Sequence, residues 1–327
     1  MKIYVLAFIL SALIAVLSGF AIVPALKRLK IGQNILGYVE EHNYKSGTPT
    51  MGGVIFVFAA VVVFFLFSSG SRYLANVCVV VGLSYMAVGM IDDGIKVVLK
   101  RNEGLSALQK TLFEFAIATV VVIFAFSRGL TVIFIPFTTN SVSVGGWFIP
   151  LGIFVFLATT NSVNLTDGLD GLAGGVSYVY LLIVAVITLL QISVAGGNFV
   201  SSADYKNIAL LEISLSGGVL GYLLFNTFKA SVFMGDTGSL SLGGFIASCG
   251  ILGGNVLYIP VIGITFVLSS VSVIIQVLHY KRTKNRIFLM APLHHHFQHK
   301  GYAESKIVFA YKFATLLIGL FCIVFYL

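Results

Sequence analysis

Residues 74–96 read LANVCVVVGLSYMAVGMIDDGIK, and residues 74–91 of that stretch carry no charge before two adjacent aspartates follow. A run of about 20 apolar residues crosses a bilayer as a helix. No water reaches the backbone there, so only helices and closed barrels span it. This run is continuous rather than alternating, which favours helix over barrel strand.

The pattern recurs along the chain. Asp167 and Asp170 follow one apolar segment, Asp236 another, and His294, His295 and His296 a third. The 327 residues are 58% hydrophobic and 10% charged, with a mean hydropathy of +1.02. A soluble fold of this length could not hide that much apolar surface. The chain therefore reads as an all-α integral membrane protein, one domain over residues 1–327.

Ten spans are predicted, at 3–26, 51–70, 74–91, 110–127, 149–166, 171–191, 207–228, 238–254, 256–279 and 307–326. The loops after spans one, three, five, seven and nine hold 16 of the 20 Lys and Arg. Cytoplasmic loops carry that excess, so this face is predicted to be cytosolic and both termini to lie outside. The same bias accounts for the net charge of +8 without nucleic acid as a partner. All six His and nine of the twelve Asp and Glu fall on the predicted cytosolic side.

The first segment is too long in its apolar part for a cleaved signal peptide, and its positive flank follows it. Residues 129–148 carry β-branched residues and turn formers that predict a small hairpin on the outer, periplasmic side. Cys78, Cys249 and Cys322 fall inside apolar segments without metal-ligand spacing and read as small core residues.

Five stretches could carry chemistry. Asp92 and Asp93 are predicted to end span three, where carboxylates oppose the helix dipole. A divalent cation such as Mg²⁺, bound through carboxylates and substrate phosphates, would stabilise them there. Lys96 and Lys100 follow at helical spacing and suit a diphosphate. In NSVNLTDGLDG (161–171), Asn161, Asn164, Asp167 and Asp170 recur every third residue and would share a face on a helix. In FMGDTGS (233–239), Asp236 is either a single-carboxylate Mg²⁺ ligand or an N-capping residue. KSGTPTMGG (45–53) offers Lys45 and Thr50 to a phosphate but is no Walker A loop. In APLHHHFQH (291–299) the imidazoles suit phosphate recognition or proton transfer rather than a zinc cage.

Five motifs, GTPTMGG (47–53), IDDGIK (91–96), NSVNLTDGLDGLA (161–173), FMGDTGSL (233–240) and APLHHHF (291–297), resemble those of the phospho-N-acetylmuramoyl-pentapeptide transferases. These enzymes sit within the polyprenyl-phosphate N-acetylhexosamine-1-phosphate transferases. The resemblance runs through nearly the whole chain, in order and spacing. It implies transfer of phospho-MurNAc-pentapeptide from UDP-MurNAc-pentapeptide to undecaprenyl phosphate, giving lipid I and UMP, with Mg²⁺ as cofactor. Homodimers are common in families of this type.

By motif, the resemblance makes Asp236 the metal ligand and Asp92, Asp93, Asp236 and His295 the catalytic group. Lys45, Thr50, Lys96, Asn164, Asn226, His294 and His296 become substrate contacts. Asp167, Leu169, Asp170 and Phe233 map to the nucleoside pocket, where Phe233 could stack on uracil. Lys229, Leu108 and Ala310 depart from the usual pattern without removing a proposed catalytic group. Direct attack by the lipid phosphate and a covalent aspartyl route both stay open. A GlcNAc-1-phosphate transferase and a transporter or flippase are the rival readings. Transporter sites sit near the midplane, often between repeats, whereas these acids crowd one edge.

Overall fold

A computed structural model of the chain describes residues 1–29, 47–99, 103–194 and 202–327. Its helices, in chain order, are α1 (Lys2–Arg28), α2 (Gly53–Phe67), α3 (Tyr73–Val98), α4 (Ala107–Ser127), α5 (Phe148–Thr166), α6 (Leu172–Val194), α7 (Ser202–Asn226), α8 (Gly235–Leu252), α9 (Tyr258–Ile262), α10 (Ile264–Thr283), α11 (Leu293–His299) and α12 (Glu304–Val324). Eight of them are long and apolar enough to cross a membrane. α2 is apolar but has only 15 residues. Strands β1 (Val132–Phe134) and β2 (Ser141–Ser143) pair antiparallel, with Ile133 opposite Val142.

The helices sort by what surrounds them. α1 turns Leu6, Leu13, Leu17 and Phe20 outward and tucks Ala7, Ser11, Ala15 and Gly19 inward at four-residue steps. That small-residue stripe lets two backbones approach closely, the packing mode helices use where lipid removes the hydrophobic drive. The α7 side matches it: any side chain on Gly217 or Gly221 would meet the Phe8 or Ala12 carbonyl. The Ser11 hydroxyl donates to the Ser214 carbonyl at 2.6 Å.

α8 is the centre of the bundle. Apart from Asp236, every residue from Gly235 to Leu252 is buried, though the helix is rich in Gly and Ser. Its hydroxyls are satisfied locally or across helices, as when Ser241 donates to the Gly82 carbonyl at 2.9 Å. Gly89 on α3 decides how near the start of α8 can come, because a Cβ there would run into the Asp236 carbonyl.

Two expectations change. Span three does not stop at the acid pair. α3 runs on to Val98, so Asp92 and Asp93 sit inside a helix whose last turn holds Lys96. The Lys96 ammonium lies 2.6 Å from Asp92 Oδ2, and this i,i+4 pair carries the helix past two carboxylates. Span nine is not continuous either: Gly263, the weak helix former, divides α9 from α10. The three cysteines are free and buried, as read from sequence.

Candidate active site

The site begins with an unusual way of ending a helix. The first turn of α8 leaves N–H groups without intrahelical partners. Asp93 supplies the acceptor from another helix. Its Oδ1 takes the Asp236 N–H at 3.2 Å, and its Oδ2 takes the Thr237 N–H at 3.0 Å and the Thr237 hydroxyl at 2.7 Å. A carboxylate at a helix N-terminus is also favoured by the dipole. Asp93 is wholly buried and spends both oxygens on this clamp. Gly235 precedes it at φ +70, and a side chain there would strike Asp93 Oδ2 and the Thr50 hydroxyl.

The clamp presents Asp236 to the neighbouring helices. Asp236 Oδ1 accepts from the Asn164 amide of α5 at 2.6 Å, and the same amide nitrogen reaches Ser239 Oγ at 2.8 Å. Asp236 Oδ2 meets Lys96 Nζ at 2.9 Å and Lys110 Nζ of α4 at 3.2 Å. Asp92 completes the group. Its Oδ1 accepts the Leu105 N–H at 2.8 Å, and its Oδ2 pairs with Lys96.

Carboxylate oxygens of Asp92, Asp93 and Asp236 thus gather within 4.8 Å of one another. Asp92, Lys96, Lys110 and Asp236 line a cavity of about 520 Å³, whereas Asp93 stays behind it. The donor set fits a hard divalent cation, being all oxygen with neither thiolate nor imidazole. The Lys96 ammonium already stands as a cation among the three acids, 3.8 Å from Asp93 Oδ1 and nearer to the others.

A second cluster lies at the α5–α6 turn. Asn161 and Asn164 share a face of α5, but the helix ends at Thr166, so Asp167 and Asp170 belong to the turn and not to that face. Asp170 Oδ2 accepts the Ala230 N–H at 3.0 Å, and its own N–H donates to Glu304 Oε1 at 2.5 Å. Asn226 takes the Gly171 N–H at 3.1 Å and donates to the Val232 carbonyl at 3.0 Å. Leu169 is buried, Phe233 half-buried.

Gly168 of this turn lies directly against the histidines. A side chain there would collide with the ring nitrogens of His294 and His295. His294 is fully buried, and neither ring nitrogen has a hydrogen-bond partner among the described residues. Burial, with the His295 ring beside it, pushes the His294 imidazole down to about 3. His295 Nδ1 sits 3.1 Å from Gln298 Oε1, while His296 Nδ1 accepts the Leu289 N–H at 3.1 Å.

A family model described as glycosyl transferase family 4 matches residues 75–254, and phospho-N-acetylmuramoyl-pentapeptide-transferase signature 1 matches residues 45–57. A Caldanaerobacter subterraneus phospho-N-acetylmuramoyl-pentapeptide-transferase is 42% identical over 96% of this chain and 95% of its own length. The chain belongs to this transferase family. Family members of the same name from Clostridioides difficile and Clostridium perfringens are 38% and 37% identical, over 95% and 98% of the chain.

Within this transferase, the structure brings together Asp92, Asp93, Asp236, Lys96 and Asn164 at one centre. It sets Asp167, Leu169, Asp170 and Asn226 at the adjoining turn with His294 and His295. His296 turns away to the backbone of residue 289, and Thr50 backs Gly235. Lys45 and Lys100 lie outside the described residues. Sequence reading missed Lys110, Thr237 and Glu304 as members of the site. Thr237 and Glu304 left a usable signal: Thr237 lies within FMGDTGS, and Glu304 opens the helix that follows the histidine motif.

Proposed function

We propose that this transferase moves phospho-MurNAc-pentapeptide from UDP-MurNAc-pentapeptide onto undecaprenyl phosphate, releasing UMP and leaving lipid I in the membrane. One observation carries the reading. The chain matches transferases of that name along nearly its whole length, and Asp92, Asp236, Lys96 and Lys110 line one cavity. By the basic-residue bias, the cavity opens to the cytosol in a bacterial inner membrane, with ten spans and both termini outside.

Phosphoryl transfer is mostly positioning and charge neutralisation. Asp236 would hold Mg²⁺, with Asp92 beside it, and the ion when bound would neutralise the donor diphosphate and stabilise UMP as leaving group. Lys96 holds diphosphate charge at the cavity wall. Asn164 fixes which way Asp236 faces. Asp92 orients the lipid phosphate or accepts its proton. The lipid phosphate attacks the sugar-linked phosphorus directly and UMP leaves, with Asp92 held at the centre by the Leu105 N–H and Lys96. His295 would bind a phosphate oxygen or pass a proton. Asp167, Asp170 and Phe233 would frame the nucleoside, and Lys45 and Thr50 the phosphates.

The test is donor choice. Purified protein with undecaprenyl phosphate should use UDP-MurNAc-pentapeptide and not UDP-GlcNAc. Preference for UDP-GlcNAc would move it to the GlcNAc-1-phosphate reading. A trapped phospho-enzyme would overturn direct attack.

A further inference from the structure

Glu114 on α4 is a buried carboxylate that the proposed reaction does not use. It has no exposed surface. Its Oε2 accepts from the Asn161 amide at 2.6 Å and the Thr160 hydroxyl at 3.4 Å. Its Oε1 is buried and has no hydrogen-bond partner among the described residues. A buried carboxylate oxygen without a donor is costly, so a cation brought within reach of Oε1 would be held there.

The candidate partner is Lys110, four residues earlier on the same helix. Residues at that spacing are surface neighbours on a helix, and long side chains lean back toward the N-terminal turn. Glu114 therefore leans toward the level of Lys110. Lys110 meets Asp236 on α8 and Glu114 meets Asn161 on α5, and Asn164, one turn on from Asn161, bonds the same Asp236.

Charge balance gives the reason to move. The centre holds three carboxylates against the ammoniums of Lys96 and Lys110, one negative charge in excess. A divalent cation would leave one positive charge in excess. Transfer of one ammonium to Glu114 removes that surplus and leaves both groups neutral. Lys110 is the ammonium held less firmly. It contacts Asp236 alone, at 3.2 Å, while Lys96 touches all three acids.

We propose that Glu114 is a second seat for Lys110. When a divalent cation takes the Asp236 carboxylate, the Lys110 ammonium swings along α4 to Glu114 Oε1. Glu114 is thus a positioning residue, acting through Lys110. The inference rests on the metal reading of the carboxylate centre.

Binding of Mn²⁺ to the full chain in detergent, without either substrate, tests it by electron paramagnetic resonance. Glu114→Gln keeps an acceptor for Asn161 and removes only the charge. The expected result is about tenfold weaker Mn²⁺ binding in this variant, and less than about twofold further change when it is made in a Lys110→Met background. Wild-type affinity in Glu114→Gln overturns the inference. So does an equal loss in both backgrounds, which would be plain long-range attraction. Mn²⁺ binding that ignores Asp236→Asn would overturn the metal reading itself, and this inference with it.

Discussion

Asp93 and Asp92 are adjacent in sequence but should respond to the same substitution in opposite ways. In Asp93→Asn the amide keeps one acceptor oxygen. The best rotamer keeps the two Thr237 bonds and turns its NH₂ toward the Asp236 N–H, where the carboxylate oxygen stood at 3.2 Å. A hydrogen bond to a charged group is worth about 1.5–3 kcal/mol, and the lost charge at a helix N-terminus about 0.3–1 kcal/mol more. The expected loss is about 2–4 kcal/mol of stability. Asp92→Asn keeps its bond to the Leu105 N–H, Lys96 keeps Asp236, and the loss of one of three crowded carboxylates relieves repulsion, so the expected loss is about 1 kcal/mol or less. Unfolding of both variants in detergent by denaturant, followed by helical circular dichroism, compares them directly. Asp92→Asn should unfold near wild type yet lose activity, and Asp93→Asn should unfold early. A stable Asp93→Asn, or an Asp92→Asn that is the less stable of the two, would refute the clamp.

Three further outcomes are expected. Asn164→Ala should cut turnover about 10–100-fold, the usual cost of removing a group that orients a metal ligand, and Asn164→Asp should cost more by placing another negative charge against Asp236; equal rates would show that Asn164 does not orient it. Gly89→Ala should destabilise by about 1–3 kcal/mol and reduce activity, because the new methyl pushes the start of α8 away from Asp93; a neutral effect in unfolding assays would contradict the close approach. His294 binds a proton less readily folded than unfolded, so protonation favours the unfolded chain. Stability should hold above about pH 7 and fall as pH drops from the unfolded value of about 6.5 toward 3, and His294→Gln should flatten that slope in unfolding midpoints.

Much of this was legible in the residues. Apolar run lengths found the long helices, eight of which are long and apolar enough to cross, because lipid leaves the backbone no alternative to helix. The acids were conspicuous because a carboxylate beside an apolar run is expensive without a purpose. Lys110 was not legible: its segment LSALQK carries no acid, and only the packing of α4 beside α5 and α8 brings it to Asp236. The continuation of α3 to Val98 depends on the Asp92–Lys96 pair and on Leu105 capping Asp92, contacts that periodicity does not register. The three-residue rhythm from Asn161 to Asp170 suggested one helical face, but α5 stops at Thr166, where the chain turns against the histidines. Periodicity also carried span nine straight through Gly263, since apolar residues flank it on both sides.

Release of UMP reads out lipid-dependent transfer at the Asp92–Asp236 centre. Purified protein, UDP-MurNAc-pentapeptide and Mg²⁺ should yield UMP only when undecaprenyl phosphate is present, and Asp236→Ala and Asp92→Asn should each abolish the release. UMP formed without the lipid, or undiminished release from Asp236→Ala, would contradict lipid-dependent transfer at this centre.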